Sequence, residues 1–188
     1  MSLVMAVVCT DGIVVSGDFR RTEFKVNLQT NEKRIIGFCD DTHKLIRTKN
    51  NRIVGHTGNT ILNDGRNIES AIQDTLLGTE ILGLSIFEEF MHIVSCIGNS
   101  QNAIIEAGIE NDKKIVFIWK KGDATISYNY IGGAIGDTDA LKKYKPILEE
   151  KQKNITVDEA KKLLQRYNQL VADETLTVSP NCEIMVVE

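Results

Sequence analysis

The sequence predicts an α+β fold in which two antiparallel sheets each carry a pair of helices on the outer face. Three observations predict it. Apolar runs follow one another as strands, two helices, three strands, two helices and one strand. The chain opens on a hairpin, Leu3–Cys9 and Ile13–Gly17, joined by Thr10-Asp11-Gly12. Two helices announce their starts through capping-box pairs, Ser85 with Glu88 and Thr156 with Glu159.

The opening Asp-Gly pair between β-branched runs is a strong hairpin signal, because glycine accepts the positive φ that a tight turn requires. After it, Phe19-Arg20-Arg21-Thr22 and the polar stretch Asn27–Glu32 suggest an exposed loop or irregular ribbon. Arg34–Cys39 is a strand closed by Asp40-Asp41, and Lys44–Arg47 with Arg52–His56 forms a second hairpin across Lys49-Asn50-Asn51. Thr60 to Leu77 fits a helix, with Ile61, Leu62, Ile68, Ala71, Ile72 and Leu76 at helical spacing and Gly78 ending it. The Ser85 helix carries Phe87, Phe90, Met91, Val94 and Ile97 and stops at Gly98-Asn99-Ser100. Asn102–Ile109, Lys114–Trp119 and Thr125–Ile131 read as a meander, and Gly132-Gly133-Ala134 marks a tight backbone passage. Thr138–Lys151 is helical with a bend at Pro146, the Thr156 helix runs to about Ala172, and Cys182–Val187 is a final strand.

Composition narrows the function. With 188 residues, 42% of them hydrophobic, residues 1–188 are expected to bury one core as one domain. A net charge of −4 and the lack of a basic stripe with interleaved aromatics disfavour nucleic acid as a partner. No apolar run approaches the ~20 residues that span a bilayer. No charged start followed by an apolar segment and a cleavage site opens the chain, so a cytoplasmic protein without a membrane is expected. Cys9, Cys39, Cys96 and Cys182 form no Cys-x-x-Cys pair and are expected as buried free thiols. His43, His56 and His92 lack ligand spacing, so neither metal nor other cofactor is expected.

The chemistry suggested by the residues begins at Ser2. If Met1 is trimmed, Ser2 acquires a free α-amine with a reference pKa of about 8. That amine can take the proton of its own hydroxyl and activate it as a nucleophile. An antiparallel hairpin also brings Asp18, at the end of the return strand, next to the chain start.

The stretch Ser2-Leu3-Val4-Met5-Ala6-Val7 through Val15-Ser16-Gly17-Asp18-Phe19-Arg20 resembles the start of the proteasome β-subunit and HslV family of N-terminal nucleophile hydrolases. In that family a chain-end Thr is followed sixteen places later by an acidic residue and then by Arg, and Asp18 stands sixteen places after Ser2. Lys44 and Gly58, fourteen apart, match the family's Lys and Gly before its first long helix. Thr156-Val157-Asp158-Glu159-Ala160 resembles the start of its last long helix, which runs out at Asp173. The resemblance implies a four-layer α-β-β-α sandwich and a set of roles. Ser2 supplies the nucleophile and its amine the base. Lys44 lowers the hydroxyl pKa while Asp18 holds it charged. The Gly58 N–H binds the oxyanion, and Asp173 with Ser179 (or Thr177) completes a network around the amine. The chain departs from the pattern in using Ser for Thr, in a longer segment between Asp18 and Lys44, and in having Gly133 where the family has Ser.

Each residue also has an ordinary reading: Lys44 a strand-end surface lysine, Gly58 a turn, Asp173 a helix end. Asp18 with Arg20 reads equally as a local ion pair stabilising the hairpin mouth, worth at most ~1 kcal/mol if exposed. His43 and His56 are expected in structural or supporting roles, since no Gly-x-Ser-x-Gly elbow exists. The function expected is a serine hydrolase cleaving peptide or other amide bonds through an acyl-enzyme. Two alternatives stand beside it: a catalytically silent proteasome-like assembly protein, and an acyl-transfer enzyme using the same residues. Rings in the family imply self-association, by analogy, and leave an ATPase partner open.

Overall fold

A computed structural model describes residues 2–30, 32–97, 101–120, 122–128, 133–136 and 154–188. Strands dominate them. A four-stranded antiparallel sheet runs in the order β10-β1-β2-β11, from β1 (Leu3–Val8), β2 (Ile13–Asp18), β10 (Gly133–Gly136) and β11 (Cys182–Val187). A five-stranded sheet follows chain order, from β5 (Leu45–Arg47) and β6 (Ile53–Thr57) to β7 (Ala103–Glu110), β8 (Lys113–Lys120) and β9 (Asp123–Tyr128). The remaining two, β3 (Arg21–Val26) and β4 (Lys33–Cys39), form a separate two-stranded ribbon.

The expected two-sheet, four-layer α-β-β-α sandwich is therefore corrected: the described residues are mostly β and form three antiparallel sheets. The segment expected as a loop or irregular ribbon pairs with the strand after it and so builds a sheet of its own. The helix expected at 138–151 lies outside the described residues.

β1 is apolar throughout because both its faces are buried. Leu3, Met5 and Val7 pack with Ala160, Leu164 and Val171 of α3 (Val157–Glu174). Val4, Ala6 and Val8 face Ile53, Ile105 and Val116 of the five-stranded sheet. On that sheet's other side, Val54, Ile104 and Phe117 pack with Ile72 of α1 (Ile68–Leu82) and Phe90 of α2 (Ile86–Ile97).

The hairpin at the chain start forms as expected, with Val8 opposite Ile13, but Gly12 does not adopt positive φ. A Cβ there would lie 2.6 Å from the Val187 carbonyl, so close packing is what demands glycine. Asp11 meanwhile accepts the Val157 N–H at 2.8 Å, tying the turn to the start of α3. Both capping boxes are present, Ser85 with Glu88 and Thr156 with Glu159. α1 is displaced from its expected span. Asp64-Gly65 turns the chain, Leu62 N–H bonds the Arg66 carbonyl at 2.9 Å, and Asn67 caps the helix instead. All four cysteines are free, but Cys9 is buried while Cys39, Cys96 and Cys182 are half-buried.

Candidate active site

Asp18 is fully buried at the end of β2, where the antiparallel pairing brings it beside the first residue of β1. Its Oδ1 accepts the Leu3 N–H at 2.7 Å and lies 3.0 Å from Lys44 Nζ. Its Oδ2 accepts the N–H groups of Arg20 at 2.9 Å and Ser179 at 3.1 Å. One carboxylate thus holds the peptide that follows Ser2, the Lys44 ammonium and the loop before β11.

Lys44 is 3% exposed, far from the surface lysine of the ordinary reading. Its ammonium donates to the Asp18 carbonyl and, at 2.9 Å, to the Arg20 carbonyl. Burial pulls its pKa below the ordinary lysine value, and the Asp18 charge partly opposes the shift. The backbone around it is set by Glu183 of β11, whose Oε1 accepts the Lys44 N–H at 2.6 Å and the Leu45 N–H at 2.9 Å. Glu183 Oε2 meets His43 Nδ1 at 3.0 Å, and that hydrogen bond raises the His43 pKa.

Ser2, Lys44 and Gly58 border one cavity of about 620 Å³, with the ribbon residues Arg21, Thr22, Phe24 and Lys33 on another wall. Gly58 follows β6 at φ +113°, and a Cβ there would fall 2.2 Å from Asn102 Oδ1 and 2.7 Å from backbone atoms of Gln101 and Asn102. His56 also borders the cavity. It is 6% exposed, its Nε2 has no hydrogen-bond partner among the described residues, and burial with the nearby Lys44 charge pushes its pKa down to about 4.

The other two expected site residues lie differently. Ser179 touches Asp18 through its backbone N–H, while its hydroxyl donates to Asp40 Oδ2 at 3.1 Å. Asp173 is exposed on α3, accepts from Gln169 Nε2 at 2.7 Å and does not border the cavity.

The alternative of a local Asp18–Arg20 ion pair gives way to a longer-range one. Arg20 grips Asp40 with two bonds of 2.6 Å, donates to the Leu176 carbonyl at 3.2 Å and lies 4.2 Å over the Phe38 ring. This fork holds the Asp40 pKa below its ordinary value and fastens the ribbon's return to the loop before β11. Asp40 and Glu183 were missed as site supports. The one signal for Glu183 was a charge inside the apolar run Cys182–Val187.

No family model matches the sequence, and no curated protein matches it either. Solved structures do. An Anbu Gly-1 mutant from Hyphomicrobium sp. strain MC1 superposes with a TM-score of 0.70 at 16% identity, covering 100% of this chain and 82% of that one. Anbu, an ancestral beta-subunit, from Yersinia bercovieri gives 0.67 at 15%, covering 98% and 80%. Anbu from Pseudomonas aeruginosa, solved as a helical assembly, gives 0.69 at 15%, with the same coverage of 98% and 80%. These likenesses concern the fold. They also correct the resemblance drawn from the motifs: the structural neighbours are Anbu proteins, a proteasome-like branch distinct from HslV and the proteasome β-subunit proper.

Proposed function

We propose that this protein is an N-terminal serine hydrolase that cleaves peptide or other amide bonds through an acyl-enzyme. The observation that carries the reading is the buried Lys44 ammonium, fixed by Asp18 and bordering the same cavity as Ser2 and Gly58. The proteasome-like fold of the structural neighbours is compatible with it.

The chemistry follows from these groups. With Met1 removed, the Ser2 hydroxyl attacks the carbonyl carbon of a bound amide. Its proton passes to the α-amine, directly or through a water. Asp18 keeps Lys44 oriented, so an ammonium faces the developing alkoxide. The tetrahedral oxyanion takes the Gly58 N–H. Collapse expels the amine with a proton and leaves an ester on Ser2. Water, or an amine in the transfer variant, then resolves that ester by the same steps in reverse. In this reading Asp173 supports the helix end and Ser179 supports Asp18 through its N–H.

Ser2→Ala and Lys44→Ala are each expected to abolish labelling by an electrophilic serine- or threonine-directed probe; full labelling of either variant would refute the assignment. A second reading, a silent assembly protein that keeps Met1, is favoured by the exposed apolar side chains on the ribbon and on α1 and α2. Intact mass of untagged protein separates the two, because the hydrolase needs the loss of one methionine. Self-association belongs to both readings.

A further inference from the structure

Lys44 leads into β5 of the five-stranded sheet, yet both of its ends are fastened to the four-stranded one. Its ammonium is held at the end of β2, by the Asp18 carboxylate and by the Asp18 and Arg20 carbonyls. Its N–H is held by Glu183 of β11, which takes the Leu45 N–H on the same oxygen. β5 and β11 are edge strands of their sheets, and this carboxylate supplies the acceptor that a neighbouring strand would give. Gly17 leaves room for the crossing. It lies opposite Glu183 on β2, and a Cβ there would fall 3.2 Å from the Leu45 side chain and 3.3 Å from Lys44 Cβ.

The second Glu183 oxygen meets His43 Nδ1 at 3.0 Å. A carboxylate only accepts, so Nδ1 carries a proton, in the neutral ring or in the imidazolium. The two side chains differ in access to water: Glu183 is 11% exposed and His43 66%. His43 therefore exchanges protons with solvent while its partner stays shielded. Phe19 flanks the ring edge-on, with centroids 5.5 Å apart. Neither Glu183 nor His43 is among the described residues that border the cavity, so any effect on a substrate there runs through Lys44.

We propose that Glu183 is a positioning residue for Lys44, and that a proton on His43 tightens its hold. A bond between imidazolium and carboxylate is stronger than one from the neutral ring, so the charged pair fixes Glu183 against the two amides. The Glu183 hydrogen bond and then its charge raise the His43 pKa above 6.5, and Glu69 of α1 and the neighbouring Asp41 add to this. Lys44 faces Glu183 from the other side, with Asp18 and Asp40 around it. The adjacent Cys182 thiol, pushed up to about 11 by burial, stays neutral over this range. The inference rests on the hydrolase reading, in which the Lys44 ammonium faces the Ser2 alkoxide.

Labelling of the full chain, with Met1 removed, by a peptide β-lactone separates binding (KI) from reaction (kinact). Glu183→Gln keeps one oxygen for the amides and is expected to lower kinact about tenfold or more, with KI unchanged. A loss of Tm with kinact unchanged, or a change in KI alone, overturns the proposal. His43→Asn keeps an N–H donor but cannot take a charge, and its exposed position spares the core. The ratio of wild-type to His43→Asn kinact is expected to be at least threefold at pH 6 and to fall toward one by pH 9. A constant ratio overturns the proposal while the hydrolase reading stands. The Ser2→Ala chain, labelled with 13C at lysine Cε, gives a readout without turnover. Its Lys44 signal, assigned with Lys44→Arg, is expected to show a step at the His43 titration that His43→Asn removes. If this step appears while the lactone fails to label wild type, the hydrolase reading fails and the positioning is retained. If the Lys44 signal ignores the His43 titration, the proposal fails.

Discussion

At the scale of single residues, Asp18 matters most. It gathers three backbone N–H groups and a buried ammonium, so Asp18→Ala removes the counter-charge of a buried lysine. A loss of about 3–5 kcal/mol of folding stability is expected, measured as a drop in the denaturant midpoint. Two other buried groups set opposite pH dependences. His56 is neutral in the fold with its pKa near 4, while the unfolded histidine titrates at 6.5. The unfolded chain therefore binds more protons between those values, and stability falls as pH is lowered through that window. His56→Gln is expected to flatten the acid limb of a Tm-against-pH curve. Glu106 behaves in the reverse sense. Burial first, then the Glu89 charge and hydrogen bond beside it, raise its pKa well above 4.5, with Arg52 opposing and Glu110 reinforcing. The folded chain holds a proton that the unfolded one has released, so this contribution is full below pH 4.5 and is lost as pH rises toward the folded value. Glu106→Gln is expected to raise Tm at pH 8 relative to wild type and to change it least near pH 4. A variant destabilised equally at both pH values would contradict this.

At the scale of elements, the turn after β6 is the tightest constraint on the site. Gly58→Ala would drive a methyl group into Asn102 and Gln101, so the backbone after β6 must shift. Loss of probe labelling at Ser2 is expected even under conditions where circular dichroism shows a folded chain. The helix starts are more forgiving: Thr156→Ala removes one reciprocal cap and should cost about 1 kcal/mol by denaturant titration. These elements also show how far the sequence could be read. The two capping boxes and the strand Cys182–Val187 were legible because their signals are local. The start of α1 was not. Ile61 and Leu62 match its period, but an Asp64-Gly65 turn and an Ile61–Asn67 bridge hold them outside the helix. Gly12 was legible as a turn glycine for the wrong reason, since its neighbour Val187 lies far along the chain.

At the scale of the molecule, apolar surface is concentrated in two places. Leu28, Ile36 and Phe38 stand exposed on the ribbon, and Ile81, Leu82 and Phe87 on α1 and α2. The proposed self-association would cover such surface. Sedimentation velocity is expected to show species larger than the 21.0 kDa protomer, and Ile81→Lys with Leu82→Lys to shift them toward it. A wild-type chain that sediments as a monomer at every concentration would remove self-association from the proposal. Among the described residues, no helix is long and apolar enough to cross a membrane.

The sequence by itself determined the opening hairpin, the intervals from Ser2 to Asp18 and from Lys44 to Gly58, and the helix caps. Hydrogen-bonded turns, periodicity and spacing are all written within a few residues of one another or at fixed intervals. The tertiary structure decided the rest: that Lys44 is buried against Asp18, that Arg20 turns to Asp40, and that Glu183 fixes the Lys44 backbone. Those contacts join segments up to about 140 residues apart. Which distant polar groups meet is settled by how sheets and helices pack, because a buried charge takes whichever partner the closed core leaves within reach.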